Sequence, residues 1–310
     1  MATGTVWNLP NYEGELYTAD SLNTPFLSMI GGLNGGLEAT NFEFPTASLY
    51  DLPAASQPGI TENQSLTAPD PTVVSRTQEK NVCQIFQEAI EVSYVKLSSG
   101  GRLSGINNTG GENPIDDERA WQIAKKIEKI ARDIEHTFLQ GAYQLAEDAD
   151  TANKSRGMLT LCAANNTVDA ESVELTQDIM NELFLTMATS GAVFRNVVVF
   201  ANGFQKQRIS EVYGYAPDDR NVGGVNVRQI ETDFGLVGVV FDRFMPTTSL
   251  LAAELSVCAP VYLAVPEKGH LFYEELSKTG ASEKGQIFGQ IGLDHGPGFM
   301  HGSVTNLLDA

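Results

Sequence analysis

The residues with most chemistry to offer in this 310-residue chain are His295 and His301, which bracket a Gly-Pro turn with Asp294 beside them. Two imidazoles and a carboxylate at that spacing could hold a divalent metal or pass a proton. Histidines in a loop beside a surface turn are more often solvated, so no metal ligand is assigned. Asp294 and His295 stand only as the candidate pair of an unrecognised acidic hydrolase. The acidic doublets Asp116-Asp117, Asp218-Asp219 and Glu274-Glu275 point adjacent carboxyls in different directions and make poor acid/base partners. No GxGxxG follows a strand, and no Gly-Lys-Ser/Thr loop, GxSxG elbow or HExxH helix occurs. Without a phosphate cradle, a nucleophile or a zinc motif, the expectation is no enzyme and no cofactor.

One charge pattern remains. At about 100° per residue, Lys125, Lys129, Arg132 and His136 fall within roughly 60° of each other on a helix, and Trp121 lies near the same face. Such a row ordinarily meets solvent and complements the negative helix end. Its functional alternative is a contact with a neighbouring subunit or with nucleic acid, since Trp and Arg often anchor interfaces.

The element that must carry this row is a helix predicted over residues 114–145. Asn113 suits an N-cap, Pro114 the first helical position, and Asp116, Asp117 and Glu118 the positive helix end. Ile123, Ile127, Ile130, Ile134 and Phe138 recur at helical steps and form one apolar stripe opposite the cations. A helix of that length would reach about 45 Å and needs something broad to lie against.

The flanking chain supplies candidates. Residues 1–38 sustain no period and are broken by Pro10, Pro25 and two Gly-Gly pairs, so they read as an arm lying along another surface. A strand is predicted over 39–52, a Pro-rich apex over 53–71, and a long return limb over 72–97, giving a hairpin that projects from the body and packs elsewhere. A glycine-rich hinge, 98–111, enters the helix. Beyond it, helices are predicted at 175–189 and 203–213. Strands are predicted at 195–200, 225–232, 235–241, 261–265, 286–293 and 303–307. Helices and antiparallel strands without a βαβ rhythm argue an α+β fold.

Composition narrows the partners. The 39 acids against 20 bases give a formal charge of −19, which disfavours non-specific DNA binding by the whole surface. An acidic wall could equally let packaged nucleic acid slide past. No apolar run is long enough to span a membrane and no signal peptide is legible at Met1. Cys83, Cys162 and Cys258 are scattered and odd in number, so they read as reduced, buried thiols of a cytoplasmic product.

Several stretches then add up in order. Thr24-Pro-Phe-Leu-Ser-Met-Ile-Gly31, Gln84-Ile-Phe-Gln-Glu-Ala-Ile-Glu-Val-Ser93, and Ala131 to Gly141 followed by Ser155-Arg-Gly-Met-Leu159 come first. Leu276 to Gly289 and His301-Gly-Ser-Val-Thr-Asn-Leu307 follow. Nearly the whole chain resembles the major capsid proteins of tailed bacteriophages with the Hong Kong 97-type fold. The resemblance implies an N-terminal arm (1–38), an E-loop hairpin (39–104), and a peripheral domain (105–190) built on a spine helix. It also implies an axial domain (191–250) and a return to the peripheral domain (251–310).

By the same resemblance, hexamers and pentamers would tile an icosahedral virion shell around double-stranded DNA, with a portal and scaffold or decoration proteins as further partners and no membrane. Some family members crosslink a hairpin Lys; Lys80 does not sit at the predicted apex, and no crosslink is carried over. No cleaved scaffolding segment is matched either. An encapsulin-like compartment, which shares the fold but encloses protein, is the alternative reading beside the hydrolase.

Overall fold

The isoleucine stripe lies on the longest helix of the computed structural model, which describes residues 23–98, 118–213, 219–222 and 225–309. The predicted cap at Asn113, the hinge, and residues 1–22 of the arm lie outside the described residues. In chain order, α1 (Pro25–Ile30) and β1 (Leu37–Glu38) precede a hairpin of β2 (Glu43–Tyr50) and β3 (Arg76–Val82), whose connection carries α2 (Glu62–Ser65). β4 (Gln84–Ser93) and α3 (Tyr94–Ser98) follow, then α4 (Glu118–Gln140), α5 (Met158–Ala163), β5 (Thr167–Asp169) and α6 (Gln177–Thr189). β6 (Val197–Ala201), α7 (Gly203–Tyr213), β7 (Asp219–Val222), β8 (Val225–Thr232) and β9 (Gly235–Phe241) come next. The chain closes with β10 (Leu250–Glu254), β11 (Ala259–Tyr262), β12 (Leu271–Leu276), β13 (Ser282–Asp294) and β14 (Gly302–Thr305).

α4 contains neither glycine nor proline and stops at Gln140, short of the predicted Leu145. Gly141 ends it: its N–H still reaches Thr137 O at 2.8 Å, but the chain then turns back so that Gly157 N–H donates to Gly141 O at 2.8 Å. The glycines permit this approach. A Cβ on Gly141 would stand 2.5 Å from Ser155 O, and one on Gly157 2.8 Å from Thr137 O. Ile130, Ile134 and Phe138 are buried, and Ile123 and Ile127 pack part-buried against the same core. Glu135 and Leu139 are buried too, which widens the covered arc roughly 60–100° beyond Phe138.

At Glu135 the extra arc is covered by α1. Pro25 opens this single turn and Phe26 and Leu27 sink into the core, with Phe26 edge-on to Phe200 at 5.3 Å between ring centroids. The end of the arm is thus docked on its own spine helix.

The return limb differs from the single long strand predicted. It breaks at Cys83 and changes partner. β3 pairs with β2, while β4 pairs antiparallel with β13 from Gln84↔Ile291 to Ser93↔Ser282. The stretch after Cys83 therefore belongs to the body rather than to the projecting hairpin. No proline or glycine marks the break; side-chain bonding at Asn81 does, as described below.

Two larger sheets complete the subunit. One has the order β1-β11-β13-β12, with β4 on the other edge of β13; the second runs β5-β14-β10-β6-β9-β8-β7. β6 and β10 are buried at every residue, as central strands covered on both faces must be. Alternate residues of β6 serve two cores: Val198 and Phe200 pack toward α1, α4, β4 and β13, while Val197, Val199 and Ala201 pack toward α6 and α7. β5 and β14 share this sheet although they fall outside 191–250. Among the described residues, no helix is long and apolar enough to cross a membrane.

Candidate functional site

The row of cations on α4 is largely neutralised by the subunit itself. Lys125 Nζ bonds both oxygens of Glu128 at 2.8 Å, and Lys129 pairs with Asp133 at 2.9 Å and with Glu88 of β4. Lys126, one residue off the row, also reaches Glu88, at 2.8 Å. Burial alone would raise the Glu88 carboxyl; the hydrogen bonds from Lys126 and Lys129 outweigh it and hold the group below its ordinary range. Lys129 is raised in turn, first by the bond it donates to Glu88 and then by the one it donates to Asp133. Arg132 and Trp121 are half-buried, and Arg132 has partners of its own. His136 is exposed. The structure thus brings Lys125 and Lys129 onto one helix flank beside Glu128 and Asp133 of the same helix, and adds Glu88, which helical periodicity could not place there.

The hairpin is anchored at its root and bare at its apex. Asn81 is fully buried: its Nδ2 donates to Leu293 O at 2.8 Å and Arg156 O at 3.3 Å, while its Oδ1 accepts from Arg156 N at 2.8 Å and Val82 N at 2.9 Å. Four bonds on one amide satisfy all its capacity and fix where β3 leaves the hairpin and β4 enters the sheet. Glu79 adds a bond from Gly298 N at 3.1 Å, and Phe44, Cys83 and Val261 form a small apolar plug. Burial pushes the Cys83 thiol up to about 12, so it stays protonated and inert. Past this root, every residue from Asp51 to Gln78 is exposed, including Leu52, Ile60, Leu66, Val73 and Val74. Thr61 and Gln64 form a reciprocal capping box on α2, so the apex has local order without a core. Lys80 pairs with Glu43 across the strands at 3.4 Å.

The histidine turn is not solvated, contrary to expectation. His295 and His301 are both fully buried. His301 Nδ1 accepts from Glu254 N at 3.2 Å, which leaves Nε2–H to donate to His295 O at 2.6 Å; His295 Nδ1 bonds Gly296 O at 2.7 Å. Both rings therefore brace backbone, and burial lowers each to a pKa of about 4. Asp294 is spent on Gly296 N at 3.1 Å, and its carboxyl is raised by burial. No three metal-ligating side chains gather anywhere among the described residues. The arrangement is a structural corner between β13 and β14.

An α+β subunit with a long spine helix, an arm end docked on it, and an anchored hairpin with an uncovered apolar apex defines a shell-forming structural protein. The fold is that of Hong Kong 97-type capsids. It superposes on a capsid chain of cyanophage A-1(L) with a TM-score of 0.66 at 12% identity, covering 96% of this chain and 97% of that one. An encapsulin complex from Synechococcus elongatus gives 0.60 at 12% identity over 96% and 93%. A capsid of a native GTA particle gives 0.59 at 12% identity over 100% and 98%. No curated protein sequence matches the chain. The profile of the SU10 major capsid protein family matches residues 1–308, and the chain belongs to that family. It is a major capsid protein of a tailed-phage head, a structural component of the virion rather than an enzyme.

Proposed function

We propose that the chain assembles as hexamers and pentamers into an icosahedral head around double-stranded DNA, with the apex of the β2–β3 hairpin seated on a neighbouring subunit. The observation that carries this reading is the apex itself. A segment with several large apolar side chains and no residue buried in its own subunit gains most by being covered in an assembly. The acids in it are Asp51, Glu62 and Asp70, with no cation before Arg76, which suits a docking strap more than a DNA contact. The seven-stranded sheet serves as the axial domain, and the five-stranded sheet with α4 serves as the peripheral domain. A portal and scaffold or decoration proteins complete the head. Contact of Lys125, Lys129 and Arg132 with DNA is weak and local, given the carboxylates around the lysines and the charge of −19. Trp121 on the same helix is the residue there best suited to a neighbour.

Deletion of residues 53–71, between Tyr50 and Arg76, tests the hairpin role. The expected product is a folded subunit with the wild-type melting profile and no closed shells by electron microscopy. Normal heads from this deletion would overturn the assignment. DNA rather than a cargo protein inside purified wild-type particles separates the head from a compartment.

A further inference from the structure

Glu135 occupies a position on α4 where the surrounding core calls for an apolar side chain, and it is fully buried. Its Oε1 accepts the Phe26 N–H and its Oε2 the Leu27 N–H, each at 2.7 Å, so the carboxyl grips the first turn of α1. Asp242, also fully buried, directly follows β9, donates its N–H to Ala201 O at 2.9 Å and accepts from Phe244 N at 2.8 Å through Oδ1. Its Oδ2 is buried with no donor on it, and its side chain lies within hydrogen-bonding reach of Glu135. Two buried carboxylates in that position repel. An acid and a carboxylate bond well, and the one oxygen without a donor is where the proton belongs.

We propose that Glu135 and Asp242 share one proton and form a latch that fastens the arm helix α1 to the spine, and that loss of this proton loosens the arm. The latch joins three parts of the subunit. Glu135 brings α4, Phe26 and Leu27 bring α1, and Asp242 brings the loop after β9, where Gln140 of α4 also bonds Phe244 O. Burial raises both carboxyls above their ordinary range, as a pair that keeps one proton requires.

The elements packed around the pair carry few other ionisable groups. Asp133 on α4 is engaged by Lys129, Tyr262 on β11 donates to Gly32 O, and Cys258 donates to Glu254 O. His136 on α4 is exposed, β8 carries Arg228 and Glu231, and Arg132 and Arg243 have interactions of their own. Opening the latch bares Phe26 and Leu27 to water, so the event is undocking of α1 and not unfolding of the sheets.

The direction follows from proton linkage. Closed, the pair keeps its proton; open, both carboxyls ionise in the ordinary range. Opening therefore releases a proton and becomes about tenfold easier per pH unit, from the ordinary carboxyl range up to the raised value in the closed state. Low pH fastens the arm and rising pH loosens it.

Hydrogen exchange at the Phe26 and Leu27 amides of the full-length protein, from pH 5 to pH 8, reads the latch. Rates are divided by the intrinsic rate at each pH. The wild type should lose protection there by about tenfold per unit over part of this range, while the Ile287 amide in β13 keeps its protection. In Glu135→Gln an amide N–H replaces the shared proton, and protection at Phe26 and Leu27 should become independent of pH. Asp242→Asn makes the same replacement from the other side and serves if the first variant does not fold. Protection in the wild type that does not change with pH, or an unchanged slope in either variant, overturns the proposal. The readout lies within one subunit, so it stands apart from whether the hairpin closes shells.

Discussion

Lys126 Nζ stands 2.8 Å from Glu88 Oε2, and the same carboxylate holds Lys129, so one acid of β4 clamps two lysines of the spine helix. Glu88→Gln should lower stability by only about 1 kcal/mol, because the pairs are partly open to solvent. It should also free two cations. Binding of a short DNA duplex to the purified subunit is expected to tighten at low salt and to regain its weakness at physiological salt. Fluorescence anisotropy checks this, and affinity equal to wild type would show that phosphate cannot reach Lys126 and Lys129.

Burial along the apolar stripe is graded, and mutational cost should be graded with it. Ile130 is 1% exposed, whereas Ile127 is part-buried. Ile130→Asp should prevent folding, since an unpaired charge there costs several kcal/mol. Ile130→Ala should cost about 2–5 kcal/mol and Ile127→Ala distinctly less, read from urea midpoints. Equal costs at the two positions would mean that the helix is rotated relative to the core.

Gly141 and Gly157 should tolerate no side chain. The atoms a Cβ would strike are backbone, Ser155 O and Thr137 O, and these cannot rotate away. Gly141→Ala and Gly157→Ala are each expected to lower the melting temperature by an amount corresponding to about 1–3 kcal/mol. Gly59 at the hairpin apex, with nothing near its Cβ position, should accept alanine without loss.

Among the groups through which acid should weaken the subunit are two buried histidines and Glu88. His295 and His301 are held neutral with pKa values of about 4, so below pH 6.5 the unfolded chain takes up protons that the folded chain refuses. Their stabilisation is complete above that pH and declines toward pH 4, by roughly 3 kcal/mol apiece at most. Glu88, held low by its lysines, adds stability that is present above the ordinary carboxyl range and lost as pH falls through its depressed value. Thermal melts from pH 4 to pH 7 of wild type and His295→Gln check the histidine share: the variant should show a shallower slope.

The spine was legible because five apolar residues repeat at helical steps. Its true buried arc was not, since Glu135 is covered by α1 and Leu139 is buried as well, and a helix wheel cannot show what a distant segment will lie on. The return limb misled for a related reason. Its sequence from Val82 to Leu97 is almost free of breakers, yet Tyr94–Ser98 is helical, and the change of partner at Cys83 is imposed by Asn81, which accepts from Arg156 N and donates to Leu293 O, far along the chain. The histidine corner looked like open loop because Gly and Pro surround it, yet two strands of different sheets bracket it and draw it inside. Glu88 and Asp242 carried no signal beyond being acids in an acidic chain.

β3 runs into β4 across the single residue Cys83, and β4 is zipped to β13 by ten consecutive register pairs. If the hairpin fastens a neighbouring subunit as proposed, any load on the shell is drawn along it. Tension drawn along the hairpin arrives at Gln84 and, directed along the strand, loads that whole ladder in shear, so the bonds must fail together rather than one after another. The far edge of β13 is held in turn by β12 and β11, which spreads the force across the sheet. The proposed strap thus continues into the longest ladder among the described strands, and the two-stranded hairpin lies outside it.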